Sequence, residues 1–298
     1  MTATQEPLNS PYVQFVRGYP FPGSFLFKKK VLEEVMDYIP RSGDIIVSSY
    51  PKTGTTWLQY IVLQIISKGE SFPNSEDMEK VFPYMERTGV EVLNSLKSPR
   101  TYMHHIPYNL MQKNEKAKVL YIYRRPEDTL VSYYHFSRNI RGSFMDFDQY
   151  FENFLSGNVG YGRYFEHILS YHKHKDDKNL LMISYEKLHA NKKEEILRIA
   201  RFLGEEYFND IAANESILNK IIKQTSFDHM KSNISVAIPK VVNGDKGPEV
   251  KLTEIDFFRK GIVGDGKNLL SLEQLKRLND VARSVLEGTE IYREWMEK

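Results

Sequence analysis

The sequence of 298 residues predicts an α/β fold, in which a single domain is built on a central parallel sheet flanked by helices. Three short apolar runs, residues 45–49, 119–123 and 180–184, have the length of strands, and each is followed by a segment with helical features. Continuous apolar runs are typical of strands that are buried on both faces. Strands that alternate with helices are typical of a parallel sheet.

Boundary signals support the helices of this alternation. Pro126 fits the first turn of a helix after the second strand, and Glu127 and Asp128 suit its positive N-terminal end. Another amphipathic segment stops at Gly204, a residue that commonly follows the last turn. The further helical segments are predicted over residues 28–38, 56–66, 192–203 and 271–296, of which the last is a C-terminal helical segment.

Two parts of the chain are predicted to lack regular structure. Residues 1–25 are rich in Pro, Gly and aromatic side chains, and we expect an irregular lead-in there. Residues 233–250 are rich in Asn, Pro, Gly and Lys and are predicted to form a mobile loop. The sequence shows no internal repeat, low-complexity tract or linker, so residues 1–298 are predicted to form one domain.

The composition excludes several classes of function. A net charge of +2 implies no bulk attraction to nucleic acid or to a membrane, so we expect neither as a partner, and any anion site must come from a local cluster. The absence of cysteine excludes disulfides and thiolate metal sites. The N-terminus lacks the basic and apolar regions of a signal peptide, and no apolar run approaches the roughly 20 residues that span a bilayer. We therefore expect a cytoplasmic protein.

A phosphate-binding loop is predicted between the first apolar run and the helix that follows it, Tyr50-Pro51-Lys52-Thr53-Gly54-Thr55-Thr56-Trp57. A strand, a small-residue turn and a helix present backbone N–H groups and a positive dipole end to an anion. Lys52 adds a charge, Gly54 permits close approach of the backbone, and the threonines add hydroxyl donors. A Walker loop places its lysine after the second glycine, so this is a different, P-loop-like motif.

The motif resembles the 5′-phosphosulfate loop of the cytosolic sulfotransferases, usually written Y-P-K-S/T-G-T-T-W. Two further elements occur in the order of that family. Arg124 and Ser132 match the pair that holds the 3′-phosphate of the sulfate donor, and guanidinium and hydroxyl donors suit a phosphate. The third element, which closes over the same phosphate, is matched by Phe257-Phe258-Arg259-Lys260-Gly261.

The resemblance, which extends from about residue 19 to residue 267, implies a donor and a set of residues that bind it. The donor is 3′-phosphoadenosine 5′-phosphosulfate (PAPS), and its product is 3′-phosphoadenosine 5′-phosphate (PAP). The residues of the three elements would hold the phosphates. The adenine contacts are implied to come from Trp57, which stacks, and from Tyr185, Thr225 and Phe227.

The resemblance also implies a catalytic set. The segment Met103-His104-His105-Ile106-Pro107 takes the place of the family's K-T-H-L-P, so His105 is the expected general base. His104 is the competitor, one residue away and facing the opposite side of an extended chain. Lys52 would stabilise charge on the departing phosphate, and Ser132 would limit the action of that lysine until the acceptor binds. This chemistry requires no metal.

The acceptor is implied to be a small hydroxyl or amine compound. Phe25, Tyr84, Phe136 and Tyr161 align with an aromatic-walled cleft of the family, which suits a planar phenol or catechol. Glu86 is either a partner for the amine of a phenolic monoamine or a structural carboxylate. The residues leave open the choice among simple phenols, catecholamines and steroids.

Several positions depart from the family's pattern. Met103 replaces a lysine on the acceptor side, and Gly266 replaces a tryptophan, which suggests a looser segment after the third element. The family's dimer motif would begin at Lys267 and has Lys276 where glutamate is expected. We therefore expect a monomer or a different dimer.

Two alternative functions remain at this point. A Mg²⁺-dependent nucleotide kinase-like transferase would need a Walker loop and an aspartate at the end of a later strand, where Arg124 stands instead. A non-catalytic nucleotide-binding protein on the same fold would not need Lys52 and His105, although Met103 leaves this reading open.

Overall fold

The computed structural model describes residues 12–141, 145–244 and 247–296. The strands in this part of the chain are β1 (Val13–Val16), β2 (Tyr19–Pro22), β3 (Ile45–Ser49), β4 (Thr101–His104), β5 (Lys118–Tyr123), β6 (Leu180–Ser184), β7 (Val236–Gly244) and β8 (Gly247–Ile255). The helices are α1 (Lys29–Asp37), α2 (Thr55–Ile66), α3 (Ser75–Val81), α4 (Met85–Thr88), α5 (Pro126–Arg141), α6 (Phe147–Ser156), α7 (Tyr164–His172), α8 (Tyr185–Ala190), α9 (Lys192–Leu203), α10 (Glu205–Ala212), α11 (Glu215–Gln224), α12 (Phe227–Asn233), α13 (Leu272–Leu286) and α14 (Glu290–Met296). Short 3₁₀ turns occur at Glu91–Ser95, Tyr108–Leu110 and Asp265–Asn268.

The centre of the fold is a parallel sheet with the strand order β4-β3-β5-β6. Apolar clusters cover both faces. One contains the tyrosine-rich packing of α5, α6, α7 and α13, and the other contains α2, α9 and α11. The predicted α/β class with a parallel sheet between helices is therefore confirmed, because both faces of the strands are buried as their continuous apolar runs require.

The register of the sheet brings the ends of the strands to one edge. Ser48 pairs with His104, and Ser49 pairs with Ile122. The residues that follow these strands therefore leave the sheet side by side, at the edge where parallel sheets place their ligands. This edge receives the predicted phosphate loop after β3, His105 after β4 and Arg124 after β5.

The described part of the N-terminus differs from the predicted irregular lead-in. Residues 13–16 and 19–22 form an antiparallel hairpin, in which Val13 pairs with Pro22. Val16 and Phe21 are fully buried, so the aromatic and apolar residues of this segment serve the core. The predicted lead-in also includes residues 1–11, which lie outside the described residues.

The region predicted as a loop over 233–250 is also regular in large part. Strands β7 and β8 pair antiparallel from Val236 with Ile255 to Gly244 with Gly247. The Pro and Gly residues misled the sequence interpretation, because a two-stranded hairpin tolerates both at its turn and at unpaired positions. Strand β7 contacts α3 and α5, which places this hairpin beside the binding edge of the sheet.

The remaining elements follow the predicted pattern closely. Strands β3 and β6 and helix α9 have the predicted bounds, and α1 and α2 agree within one residue. The C-terminal helical segment is divided into α13 and α14, with Gly288 between them at φ +84°. Strand β4 was not predicted, since its four residues are too short a pattern. No helix among the described residues is long and apolar enough to cross a bilayer.

Candidate functional site

The loop between β3 and α2 has the backbone of an anion-binding turn. Gly54 caps α2 in a left-handed conformation, at φ +112°. A Cβ atom at this position would lie 2.8 Å from the ring of Tyr185, so both the backbone angle and the space require glycine. Lys52 also has a positive φ, at +69°, a strained conformation for a residue with a side chain. The loop therefore turns tightly and directs the N-terminus of α2 at the sheet edge.

Lys52 is held between two aromatic rings. Its Nζ atom lies 4.3 Å from the ring centroid of Phe136 and 3.7 Å from that of Phe257, within the range of cation–π contact. Desolvation, together with the charge of Arg124, lowers the pKa of Lys52 to about 7. The side chain faces a cavity of about 420 Å³ that Ser132, Phe136, Phe257, Arg259 and Lys260 also line.

Arg124 is buried at the same edge with a guanidinium that is only partly satisfied. Its plane lies over the ring of Tyr185 at 4.3 Å, and its Nη2 atom is 3.4 Å from the carboxylate of Asp128. The Nε atom is buried and has no hydrogen-bond partner among the described residues. A buried N–H donor without an acceptor is costly, so this atom points to a ligand that accepts a hydrogen bond.

The third predicted element shows the same pattern. Arg259 and Lys260 both pair with Asp265, at 2.7 Å each, and they hold the pKa of that carboxyl down at about 2. The Nε atom of Arg259 is buried without a partner among the described residues. Ser132 is half-buried at the same cavity. The N–H and hydroxyl groups of Arg259, Lys260 and Ser132 fit the phosphates of PAPS or PAP.

The segment after this element is more firmly attached than the sequence suggested. Asp128 accepts hydrogen bonds from the backbone N–H groups of Gly264, at 2.8 Å, and Gly266, at 2.7 Å. A Cβ atom on Gly266 would lie 2.3 Å from the carbonyl oxygen of Glu127, so no side chain fits. The glycine that replaces the family's tryptophan permits backbone packing, and the expectation of a looser segment is wrong.

The residues implied to contact adenine form a connected aromatic group. The indole N–H of Trp57 donates to the carbonyl oxygen of Thr225 at 2.8 Å, and its ring meets Tyr185 edge-on at 5.2 Å. Phe227 lies against Gly261, where a Cβ atom would be 2.3 Å from its ring. These rings make a platform beside Gly54 and Gly261, and stacking on such a platform suits a nucleotide base.

Two threonines of the predicted set have their hydroxyl groups committed elsewhere. Thr53 Oγ1 donates to the carbonyl oxygens of Tyr50 and Ile122, and Thr225 Oγ1 donates to Ile221 within its helix. Both threonines are fully buried, so Thr53 can offer a ligand only its backbone, and Thr225 supports Trp57 from behind. Thr55 and Thr56 begin α2, as the loop motif requires.

The imidazole of His105 is buried and neutral. Its Nδ1 atom lies 2.8 Å from the carbonyl oxygen of Ser49, which can only accept, so Nδ1 carries the hydrogen and Nε2 keeps a free lone pair. Burial lowers the pKa of His105 to about 3, and the charge of Lys52 contributes. Ser49 is the last residue of β3, so the imidazole is anchored directly to the start of the phosphate loop.

His104 faces a different environment, as an extended chain requires. Its Nδ1 atom accepts the backbone N–H of Ile106 at 3.2 Å and lies 3.4 Å from Ser48 Oγ. It is buried within β4, and burial lowers its pKa to about 3. Its ring is therefore part of the core beneath the sheet edge.

The structure places two of the four aromatic residues predicted for the acceptor cleft at His105 and a third at Lys52. Tyr84 and Tyr161 each meet the ring of His105 edge-on at 5.2 Å, and their hydroxyl groups are hydrogen-bonded to each other. Phe136 lies at Lys52 and lines the cavity there, whereas Tyr84, Tyr161 and His105 are not among the residues that line it. Phe25, which is 51% exposed on the loop after β2, does not line it either.

Sequence reasoning missed the residues behind His105. Glu86 accepts the backbone N–H of His105 at 2.6 Å, and His167 contacts the carbonyl oxygen of His105 at 2.8 Å. Glu86 was interpreted either as an amine partner or as a structural carboxylate, and its contact with the His105 backbone fits the second interpretation. His167 carried no signal in the sequence, because an isolated histidine in an apolar helix is usually a core residue.

The alternative functions find little support. Arg124 follows β5 at the position where a kinase would need an aspartate to hold Mg²⁺. Among residues 12–141, 145–244 and 247–296, no group of three or more His, Asp and Glu side chains could hold a metal ion.

Comparison with known proteins identifies the family. The model of the sulfotransferase domain matches residues 42–290. Sulfotransferase 1B1 of Mus musculus is 34% identical over 292 residues, which are 93% of each chain. The 3-alpha-hydroxysteroid sulfotransferase of Cavia porcellus is 34% identical over 94% of this chain and 95% of its own.

A solved structure agrees with these relatives. The crystal structure of mouse sulfotransferase SULT7A1 complexed with PAP superposes with a TM-score of 0.75 at 27% identity, and the match covers 96% of this chain and 98% of the other. The resemblance that the three motifs carried is thus confirmed over the length of the fold. The chain belongs to the cytosolic sulfotransferase family of PAPS-dependent enzymes.

Proposed function

We propose that this enzyme transfers the sulfuryl group of PAPS to the hydroxyl of a small aromatic acceptor, preferably a phenol or a catechol, with His105 as the general base. The observation that carries the proposal is the hydrogen bond from His105 Nδ1 to the carbonyl oxygen of Ser49. It leaves Nε2 unprotonated, and burial lowers the pKa of the ring, so the imidazole is neutral near pH 7 and Nε2 is open to a proton.

The residues at the sheet edge divide the reaction between them. His105 Nε2 takes the proton of the acceptor hydroxyl as the oxygen–sulfur bond forms. The bond between sulfur and the bridging oxygen breaks, and its electrons remain on the 5′-phosphate of PAP. Lys52 and the N–H groups at the start of α2 stabilise this negative charge, which is the largest electrostatic demand of the transfer. Ser132, at the same cavity as Lys52, would hold the lysine until the acceptor is bound.

PAPS would be bound by basic side chains, of which Arg124 and Arg259 have buried N–H groups without an acceptor among the described residues. Arg124, Arg259 and Lys260 would hold the 3′-phosphate, and Ser132 would supply a hydroxyl. The solved relative, mouse SULT7A1, is complexed with PAP, which supports the same nucleotide for this chain.

The acceptor class is inferred from the walls around His105. Tyr84 and Tyr161 lie edge-on to the imidazole, and Phe136 adds an aromatic surface beside Lys52. Flat aromatic acceptors gain most from such walls. A phenolic monoamine remains within the proposal, although Glu86 Oε1 is already bonded to the backbone of His105. The steroid named for the relative from Cavia porcellus is the competing class.

The first experiment is a calorimetric titration with PAP, with ATP and 5′-AMP as controls. Clear preference for PAP is expected, because only PAP presents a 3′-phosphate to Arg124 and Arg259. Preference for ATP would overturn the donor assignment. Turnover of PAPS would then be measured with 4-nitrophenol, dopamine and a 3α-hydroxysteroid, and a steroid preference would overturn the acceptor class.

The base is tested with His105→Gln and the matched variant His104→Gln. We expect the first to lower kcat by about 10²–10⁴-fold, as for loss of a general base, and the second to change it much less. Retained turnover in a His105→Gln protein that still binds PAP would show that another group takes the proton.

A further inference from the structure

The backbone of His105 lies just beyond the hydrogen-bond ladder of the sheet. Strand β4 ends at His104, which pairs with Ser48 as the last residue of the register with β3. The N–H and C=O groups of His105 are nevertheless buried and require partners. Both partners are side chains, which is unusual for a segment that continues a strand and indicates that this position is specifically held.

Glu86 supplies the acceptor for the N–H group. Two residues earlier, the N–H of Met103 donates to the backbone carbonyl of Pro83 at 2.9 Å, so the chain before α4 runs alongside β4. At the level of His105 this neighbouring segment has become helix α4. The carboxylate of Glu86 accepts the His105 N–H instead, with Oε1 at 2.6 Å from the nitrogen. Glu86 is fully buried, and its Oε2 atom has no partner among the described residues.

His167 supplies the donor for the C=O group. Its Nε2 atom is 2.8 Å from the His105 carbonyl oxygen, which can only accept, so Nε2 carries the hydrogen. Its Nδ1 atom must then accept, and the hydroxyl of Tyr121 donates to it at 2.8 Å. Tyr121 is on β5 and packs face to face with Tyr171 at 3.9 Å, so the orientation of His167 is fixed from the sheet.

These contacts leave the imidazole of His105 little freedom. Glu86 and His167 hold the backbone from opposite sides, and Ser49 holds the ring at Nδ1. A base must lie within hydrogen-bond reach of the proton it removes, and a misplacement of about 1 Å can cost about 100-fold in rate. We propose that Glu86 and His167 are positioning residues, which clamp the backbone of His105 so that its Nε2 lone pair faces the acceptor. The inference rests on the proposed role of His105 as the base.

The charge state of Glu86 is consistent with this role. Desolvation raises the pKa of Glu86 to about 8, and the hydrogen bond from His105 lowers it in part. The groups that interact with its carboxyl are the backbone N–H of His105 and the hydroxyls of Tyr84, Tyr161 and Tyr171. Near neutral pH a protonated Glu86 keeps an oxygen for the His105 N–H. Glutamine therefore reproduces the required group, and leucine removes it.

The test uses pairs of variants, Glu86→Gln against Glu86→Leu and His167→Gln against His167→Leu. A glutamine amide can accept at position 86 and donate at position 167. We expect the leucine variants to lose about tenfold to 100-fold in kcat, while the KM of the acceptor and the Kd of PAP stay within about threefold. The glutamine variants should retain most of kcat.

A spectroscopic readout separates positioning from simple structural damage. In ¹⁵N spectra of histidine-labelled protein bound to PAP, the His105 signals, assigned with His105→Gln, should show one tautomer with hydrogen on Nδ1. This signature should persist in the glutamine variants and be averaged in the leucine variants. If Glu86→Leu does not fold, the His167 pair decides with the same readouts.

The outcomes distinguish this inference from the proposed function. If His105→Gln retains turnover, the base assignment fails. If His105→Gln abolishes turnover but folded leucine variants keep wild-type kcat and tautomer, only the clamp is refuted. Equal losses in the glutamine and leucine variants would also refute it, because the hydrogen bonds would then not be what matters.

Discussion

On the side proposed to bind PAPS, cationic side chains carry N–H groups that lack partners among the described residues, whereas on the side proposed to bind the acceptor the polar groups around His105 are almost all bonded to one another. Arg124 and Arg259 each hold a buried Nε atom without an acceptor among the described residues. His105 is bonded at its ring nitrogen and at both backbone groups. We infer that the donor side is prepared for a charged ligand by buried N–H groups without acceptors, and the acceptor side for proton transfer by the neutral, fixed ring of His105.

This difference has a physical reason. A phosphate compensates unpaired guanidinium donors when it binds, so their cost in the free protein is returned on binding. A base must be neutral and oriented before the acceptor arrives, and this resting state is favoured by desolvation, which disfavours the imidazolium, and by hydrogen bonds within the protein. Lys52 combines the two features: we propose that it acts as a cation, yet desolvation and the nearby charge of Arg124 lower its pKa to about 7.

Of the variants on the donor side, Lys52→Met is expected to lower kcat the most. Methionine keeps the length and the contact with Phe136 and Phe257 but removes the charge. We expect kcat to fall by about 10²–10³-fold, as for loss of one electrostatic stabiliser of a transition state. Single-turnover measurements with labelled PAPS test this prediction. The control is Lys187→Met, which removes a lysine that pairs with Glu294 of α14. A loss below tenfold would place the main stabilisation elsewhere.

A smaller effect is expected where the donor side is attached to α5. In Gly266→Ala, a methyl group would lie 2.3 Å from the Glu127 carbonyl oxygen and push the segment away from Asp128. We expect the Kd of PAP to rise about tenfold, equivalent to about one lost charge-assisted hydrogen bond.

Gly264→Ala is the matched control for this prediction. Gly264 has φ +83° and also donates to Asp128, but a Cβ atom there would meet nothing within 4 Å. It should lose about 1 kcal/mol of stability through backbone strain, with a smaller change in the Kd of PAP. Equal effects of the two variants on PAP binding would show that contact between Gly266 and α5 does not matter for the donor site.

The smallest effect is a change in bound protons. With its pKa lowered to about 7, Lys52 in the free enzyme is mostly neutral at pH 8, and a bound anion raises that pKa again. PAP binding at pH 8 should therefore take up as much as about one proton, and less at pH 6, where Lys52 is already charged. Calorimetry in buffers of different ionisation enthalpy measures this uptake.

The control for proton uptake is Lys52→Met, in which the uptake at pH 8 should disappear. His135 also lines the cavity, but burial and nearby cations lower its pKa, so it contributes only on the acid side. Proton release, or unchanged uptake in Lys52→Met, would contradict the assignment of the titrating group to Lys52.

The same division explains what could be predicted from the sequence. The donor side is made from consecutive residues, such as the loop from Tyr50 to Trp57 and the run from Phe257 to Gly261, so local motifs identify it. The acceptor side is assembled from residues far apart in the chain, and Glu86, His105 and His167 meet only after folding.

The fold followed from periodicity where segments are long and fully apolar, as in β3, β6 and α9. It was missed where the signal depends on packing. Strand β4 is four residues long, and the hairpin of β1 and β2 buries Val16 and Phe21 within a Pro- and Gly-rich sequence. The closely packed Gly266 could not be foreseen either, because its role depends on a backbone contact with α5.

Ser49 has a consequence for how this enzyme could be redesigned. Its carbonyl oxygen holds the His105 ring, and its hydroxyl is bonded to that of Thr55 at 2.6 Å, at the beginning of α2. The two hydrogen bonds join the proposed base and the proposed phosphate loop through one residue, so we expect an insertion between Ser49 and Thr55 to disturb both at once.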